Sequence, residues 1–258
     1  MKMGLGDKVV VVTGAASGIG RAIALLAAVE GAGALVLTDR DGPGCARTAL
    51  DLPGPSERTC VVADLADPAA PEQIASAAVA RFGRIDALVN AAGLTTRGSL
   101  ATGTPAIWDQ LFAVNARAGF FLMQAAIADM RARGAAGSIV NILSMNAHCG
   151  IPDLAIYAGT KGAMVTLTRN AANAHMADRI RVNGINLGWV ATEAEDRMQA
   201  QVLGRGEGWL AEEAARQPLG RLVTAEDCAR LAVFLLSDAS VPMSGAVIDL
   251  EQKVAGAI

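Results

Sequence analysis

Residues Lys8–Leu26 read KVVVVTGAASGIGRAIALL. Lys8 to Val12 is a β-branched run with apolar residues on both faces, as expected of a parallel strand buried between two layers. The glycine pattern Thr13–Gly20 follows, and then a helix with Ile19, Ile23 and Leu26 on one side. Strand, glycine-rich turn and helix in that order let a backbone approach a pyrophosphate closely, with the free N–H groups and positive dipole end of the helix facing it. A tight βα turn with no ligand has the same spacing, so the pattern acquires meaning from its surroundings.

Downstream, Ala34 to Thr38 is a second strand with Asp39 at its end, about 20 residues past the glycines, where a carboxylate can accept hydrogen bonds from an adenosine ribose. A strand-ending Asp is otherwise a common turn residue. Gly42 to Leu52 holds a short helix, and Thr59 to Ala63 is a third strand ending at Asp64-Leu65. A helix starting at Pro68 or Pro71 runs to Arg81, and Ile85 to Val89 is a strand leading into the small-residue turn Asn90-Ala91-Ala92-Gly93. Pro105 begins a long helical stretch to about Arg133. It contains Asn115, a poor helix former whose bland reading is a polar residue on an exposed face.

The stretch VNILSMNAHCGIPDLAIYAGTKG, Val140 to Gly162, opens as the end of a strand (138–143), reaches Ser144 and enters a helix carrying Tyr157 and Lys161. Residues four apart share a helix face, so phenol and ammonium look into one space that Ser144 can also reach. A neighbouring cation favours the phenolate; bringing a phenol from about 10 to roughly 7 takes ~4 kcal/mol of differential interaction.

Beyond this, Arg181 to Ile185 is a sixth strand and Asn186–Thr192 leaves it. The segment 193–219 mixes Met198, Val202, Leu203, Trp209 and Leu210 with charges and glycines, a candidate lid of one or two short helices. Thr224 with Asp227 suggests a capped helix start, and Val247 to Leu250 is a last strand. Strands alternate with helices without linker or repeat. This predicts an α/β fold, one doubly wound domain over 1–258 with a mainly parallel sheet of about seven strands flanked by helices.

Of the 258 residues 52% are hydrophobic, and the formal net charge is −3 with no basic stripe, which argues against nucleic acid. Cys45, Cys60, Cys149 and Cys228 stand far apart and read as reduced thiols of a cytoplasmic protein. With only His148 and His175 no metal site is expected. The N-terminal apolar run is too short for a signal peptide, and Ala22–Leu37 is too short and too interrupted to span a bilayer.

Taken together these motifs resemble the short-chain dehydrogenase/reductase family over essentially the whole chain, which implies a Rossmann-type fold. T-G-x-x-x-G-x-G stands as Thr13–Gly20, the adenine-side acid as Asp64 and the N-A-A-G turn as Asn90–Gly93. The family's Asn-Ser-Tyr-Lys tetrad falls on Asn115, Ser144, Tyr157 and Lys161. The resemblance implies hydride transfer between a secondary alcohol or carbonyl compound and a nicotinamide. Tyr157 would exchange the proton, Ser144 bond the reacting oxygen, Lys161 lower the Tyr157 pKa and bind the ribose, and Asn115 hold a relay water. The dinucleotide would lie on Gly14, Ser17, Gly18, Ile19, Gly20, Asp39, Asp64, Leu65, Asn90, Ala91 and Gly93, then on Tyr157 and Lys161, with Gly188, Val190 and Thr192 beyond. Asp39 favours NAD over NADP. The substrate pocket falls on 94–99, 145–154 and 193–219, with Thr95, His148 and Trp189 as contacts and His148 equally readable as a solvent-facing loop residue. Their polarity favours a polyol, sugar or small hydroxy compound. Homotetramers are common in the family. The alternative is a catalytically silent dinucleotide-binding sensor or scaffold, which would be expected to lack Tyr157 or Lys161. Two departures stand out: Leu187 where proline usually precedes Gly188, and Leu143 where a second serine is common.

Overall fold

A computed structural model describes residues 4–255. Its elements run β1 (Val9–Thr13), α1 (Gly18–Val29), β2 (Ala34–Asp39), α2 (Gly42–Asp51), β3 (Glu57–Val62), α3 (Ala70–Phe82) and β4 (Ala87–Asn90). Then come α4 (Pro105–Phe112), α5 (Ala118–Ala132), β5 (Gly137–Ile142), α6 (Ala155–His175), β6 (Ile180–Leu187) and β7 (Val190–Ala191). The chain continues through α7 (Glu193–Arg197), α8 (Trp209–Ala215), β8 (Val223–Thr224), α9 (Ala225–Leu236) and β9 (Val247–Leu250). Seven strands form one parallel sheet in the order β3-β2-β1-β4-β5-β6-β9. The expected fold class is therefore met, with boundaries moved by one or two residues.

The apolar runs are explained by the two layers they separate. Val10 and Val12 pack with Ala24, Ala27 and Val233 of α1 and α9, whereas Val9 and Val11 pack with Ile74, Leu122 and Met130 of α3 and α5. Alternate residues point to opposite faces, and both faces are covered, so every residue of β1 is buried. The strand order reverses between β1 and β4, and the turns leaving these two strands open a crevice at the sheet's carboxyl edge.

Two expectations are corrected. The long helix from Pro105 is not continuous: α4, capped by the Thr104 hydroxyl on the Ile107 N–H, gives way to a π-helical turn at Ala113–Arg117 before α5 begins. It is also this 28-residue stretch, Pro105–Ala132 with mean hydropathy 1.4, and not Ala22–Leu37, that has the length and apolarity of a membrane span. Most of it is buried inside the protein.

Leu187 answers how the loop after β6 is held without proline. It extends the β6–β9 pairing opposite Leu250, and Gly188 N–H then donates to Leu250 O at 3.0 Å. A Cβ on Gly188 would lie 1.9 Å from a Glu251 carboxylate oxygen, so any larger residue here would have to displace the Glu251 side chain. Leu143 fills space above Gly184, where a Cβ would meet its side chain at 2.5 Å.

Candidate active site

The glycine-rich turn is built around close backbone approach. Gly14 has φ +68°, and a Cβ there would sit 2.9 Å from the Ala92 backbone, so the turn after β1 touches the turn after β4. Thr13 fastens the two: its hydroxyl accepts the N–H groups of Ala91 and Ala92 at 3.0 Å each and donates to Val89 O. Gly20 packs α1 onto the strand, since a Cβ would fall 2.2 Å from Gly14 O. Ser17 stands at the N-cap of α1 without a side-chain cap and no acid occupies the first turn, which leaves the amides at that end available to an anion.

At the end of β2 the Asp39 carboxylate accepts Ala16 N–H at 3.2 Å on one oxygen and Asp41 N–H at 3.1 Å on the other. It is thereby fixed in orientation with lone pairs left on both oxygens. Arg40 beside it is exposed. Asp64 is exposed and accepts the Ala66 N–H at 2.9 Å, while Leu65 is buried beneath it. Asn90 donates to Asn141 Oδ1 at 2.8 Å, and Asn141 to the Thr168 hydroxyl at 2.8 Å, a polar chain inside the sheet. These features, a cradle closed to any side chain, an open helix end and an oriented carboxylate, fit a dinucleotide.

The four tetrad residues converge. Ser144, Tyr157, Lys161 and Asn115 are all buried. Lys161 Nζ lies 5.7 Å from the Tyr157 ring centre and donates to Ile142 O at 2.8 Å. Asn115 is not on an exposed face. It sits in the π-helical turn, where its Oδ1 accepts Leu94 N–H at 2.8 Å and its Nδ2 donates to Leu94 O at 2.9 Å and to Thr160 Oγ1 at 3.2 Å. The extra residue of a π turn aims this side chain at the strand-end turn, a frequent use of such turns. A Cβ on Gly93 would come 3.5 Å from Asn115 Oδ1 and 3.6 Å from Lys161 Nζ, so Gly93 keeps the space between them open.

The electrostatics differ from expectation. Burial holds the Tyr157 phenol above its ordinary value; the Ser144 side chain pulls the other way, and the Glu195 carboxylate adds to the rise. Burial drives Lys161 down to about 8. The expected lowering of Tyr157 by Lys161 is not among these influences: the downward pull comes from Ser144, and burial penalises the charged form of both groups.

Of the three substrate-pocket residues, Thr95 and His148 are exposed and Trp189 is half-buried. His148 faces solvent on its loop and is also tied to the sheet edge: its Nε2 lies 2.9 and 3.0 Å from the two Asp249 oxygens and 3.2 Å from Asn186 Nδ2. Trp189 donates to Glu195 Oε1 at 2.8 Å and stacks on Trp209 with ring centres 5.6 Å apart. Arg205 lies near both rings, 5.7 and 5.8 Å from their centres, and bonds Glu213 at 2.8 Å. Thr192 caps α7 through the Glu195 N–H at 3.2 Å, and its methyl would stand 3.5 Å from a Cβ on Gly18. Residues 193–219 therefore fold on an aromatic core beside the phosphate turn. Thr13, Asn141, Asn146 and Glu195 were not singled out from sequence as site residues. Only Thr13, a hydroxyl at a strand end opposite a small-residue turn, had a readable signal.

Comparison with known proteins agrees with this geometry. Residues 14–252 match a family model described as enoyl-(acyl carrier protein) reductase. The chain is 35% identical over 250 residues to 2-(S)-hydroxypropyl-CoM dehydrogenase 3 of Xanthobacter autotrophicus, covering 96% of each chain. It superposes on L-sorbose reductase from Gluconobacter frateurii, solved with NADPH and L-sorbose, with TM-score 0.93, 28% identity and full coverage of both chains. On 3-ketoacyl-(acyl-carrier-protein) reductase from Brucella melitensis, solved with NADH, the TM-score is 0.83 at 30% identity, covering 96% of this chain and 98% of that one. Matched by the family model over 14–252 and by a dehydrogenase relative almost end to end, the chain belongs to the short-chain dehydrogenase/reductase family and is an oxidoreductase of alcohol or carbonyl substrates.

Proposed function

We propose that the protein is an NAD(H)-dependent dehydrogenase/reductase that interconverts a secondary alcohol with its carbonyl compound, the substrate being a polyol, sugar or small hydroxy compound. The observation that carries this reading is the burial of Tyr157 and Lys161 side by side, with Lys161 Nζ 5.7 Å from the phenol ring and Ser144 acting on the phenol. A catalytically silent relative would have no reason to retain a buried ammonium at such a cost.

The nicotinamide, when bound, supplies or takes up the hydride. Tyr157 exchanges the proton at its phenol oxygen, and Ser144 steadies the substrate oxygen. Lys161 supplies positive charge beside the phenol and a donor for the ribose. Asn115 holds the Leu94 backbone in place and, with Thr13, Asn90 and Lys161, lines a small cavity of about 10 Å³ of room for a water centre, enough for one relay water. Gly14, Ser17, Gly18, Ile19 and Gly20 would hold the phosphates, Asp39 the adenosine ribose, Asp64 and Leu65 the adenine. Asn90, Ala91 and Gly93 with Gly188, Val190 and Thr192 would flank the nicotinamide half. Residues 193–219 would serve as the substrate lid, with Thr95, His148 and Trp189 at its margin. The setting proposed is a cytoplasmic homotetramer, consistent with the four free thiols and the half-exposed Phe120 and Phe121 on α5.

The test is a screen of secondary alcohols and polyols by nicotinamide absorbance with each dinucleotide in turn, repeated with Tyr157→Phe. Turnover is expected to vanish in the variant while dinucleotide binding stays near that of the parent. Retention of most of the rate would remove Tyr157 from the acid/base role.

A further inference from the structure

The loop after β5 wires the Ser144 hydroxyl in a way the tetrad alone does not explain. Ser144 Oγ accepts the Asn146 backbone N–H at 3.2 Å and the Asn146 side-chain Nδ2 at 3.3 Å. The orientation of that amide is not ambiguous. Its other end, Oδ1, accepts the Ile151 N–H at 3.0 Å, and a backbone amide can only donate. The atom facing Ser144 is therefore the NH₂ group. A hydroxyl has two acceptor lone pairs and one proton. With both lone pairs taken by N–H donors, the Ser144 proton has only one use left, donation away from the loop toward the phenol and the reacting oxygen.

We infer that Asn146 is a positioning residue that commits Ser144 to act solely as a hydrogen-bond donor to the substrate oxygen and to Tyr157. This rests on the dehydrogenase/reductase reading above and deepens it. A serine free to rotate can equally accept the proton of an alcohol or of the phenol, and half its orientations then oppose the charge that develops on oxygen. A serine fixed as donor strengthens as that charge grows, which is where catalysis gains. The lowering that Ser144 exerts on Tyr157 has the sign expected of a donor. The same amide spans from Ser144 to Ile151, so it also sets the width of the loop that carries His148. Gly150 allows this closeness, since a Cβ there would meet Ala158 Cβ at 2.7 Å and Asn146 Oδ1 at 3.5 Å.

Asn146→Asp separates the wiring from the scaffold. Carboxylate and amide have the same shape, and the Ile151 N–H keeps its acceptor, but Ser144 loses a donor and gains an acceptor that turns its proton inward. Because the chain has a single tyrosine, tyrosinate absorbance reports Tyr157 alone. In the NAD-loaded protein, Asn146→Asp should move the tyrosinate midpoint up by about one unit or more, and kcat should fall about tenfold to hundredfold with KM within about twofold, as for loss of one charge-assisted hydrogen bond. Asn146→Ala, which frees the hydroxyl without reversing it, should give a smaller change in the same direction. In a Ser144→Ala background Asn146→Asp should add little to either readout. An unchanged midpoint in Asn146→Asp, or a shift of equal size with Ser144 already removed, would overturn the inference, the second result meaning that the new charge alone is responsible. If no substrate is turned over by the parent protein, the functional reading fails while the titration still decides the role of Asn146.

Discussion

Lys161→Met should make the protein more stable at neutral pH while destroying its activity. The Lys161 ammonium is fully enclosed, and its pKa falls from 10.5 to about 8. That is a displacement of about 2.5 units, or roughly 3 kcal/mol by which the fold disfavours the charged form below pH 8. Methionine removes this cost with little change of volume. It also abandons the 2.8 Å bond from Nζ to Ile142 O, and a carbonyl left unpaired costs about 1–2 kcal/mol. The balance is a gain of about 1–2 kcal/mol at pH 7. The sign of the pH dependence gives a sharper check. A base whose folded pKa lies below its unfolded value binds fewer protons when folded between pH 8 and 10.5, so the parent gains stability across that window and the variant does not. Denaturant unfolding of both proteins at a series of pH values from 7 to 10 should show the advantage of the variant shrinking and then reversing. A gap that stays constant over that range, or a variant less stable than the parent at pH 7, would refute the burial argument.

Other expectations are more direct. Asp39→Ala should raise the NADP rate relative to NAD, from a preference of at least about tenfold for NAD, because a 2′-phosphate near the carboxylate costs on the order of 3 kcal/mol; steady-state comparison of the two dinucleotides reads this. The same variant should weaken NAD binding, since Ala16 and Asp41 lose the acceptor that shapes the turn. At α9 the Arg221 guanidinium, working against burial, together with the Thr224 cap, holds the Asp227 carboxyl down to about 2. Stability from this pairing is present above about pH 4 and lost as pH falls toward 2. Asp227→Asn should cost about 1–2 kcal/mol at pH 7, with the cost shrinking steadily as pH falls from about 4 through 2, measured by chemical unfolding. Sedimentation should find a tetramer, and Phe120→Glu with Phe121→Glu should dissociate it if α5 forms one of its interfaces.

The fold was legible because it rests on period and punctuation. Val9–Val12 could only be a strand covered on both faces, and the alternation that follows admits few other topologies. The Tyr157–Lys161 pair was legible because the two are neighbours on one helix, a relation that local geometry enforces, whereas Asn115 joined them only through the family resemblance. What could not be read depends on depth and on partners far away in sequence. Nothing in the apolar pattern of 105–133 marks the one-residue insertion that turns Asn115 inward. The direction of the Tyr157 shift depends on how completely the phenol is covered, which spacing does not reveal. His148 meets Asp249 across 101 positions, and Trp189 finds Trp209 only once the 193–219 segment has folded. The absence of proline at 187 gave no hint of how the loop is held; Leu187 stays in the β6–β9 pairing opposite Leu250 with its side chain buried, and the next N–H, on Gly188, bonds Leu250 O.

Several of the places where the chain breaks its own folding rules coincide with the proposed chemistry. Much of the interior is Val, Ile, Leu and Ala in two matched layers, and buried polar groups away from the site, such as Arg181 on Ser240 Oγ and Ser237 O, are tied to neighbours. At the carboxyl edge it buries an ammonium, a phenol and two asparagines on adjacent strands, of which Asn90 has an Oδ1 with no partner among the described residues. Each such group costs stability that a hydrophobic residue of similar size would not, about 1–3 kcal/mol for an unpaired buried polar atom. They are tolerated because the sheet behind them holds most of them within hydrogen-bonding distance of a specific neighbour, as Asn90 Nδ2 on Asn141 Oδ1 and Lys161 Nζ on Ile142 O, and because Gly14 and Gly93 withhold side chains from the crevice. Asn90 and Lys161 both border the same small cavity. A water held there would have both the amide oxygen and the ammonium among its neighbours, so the cost of burying one group is tied to the presence of the other.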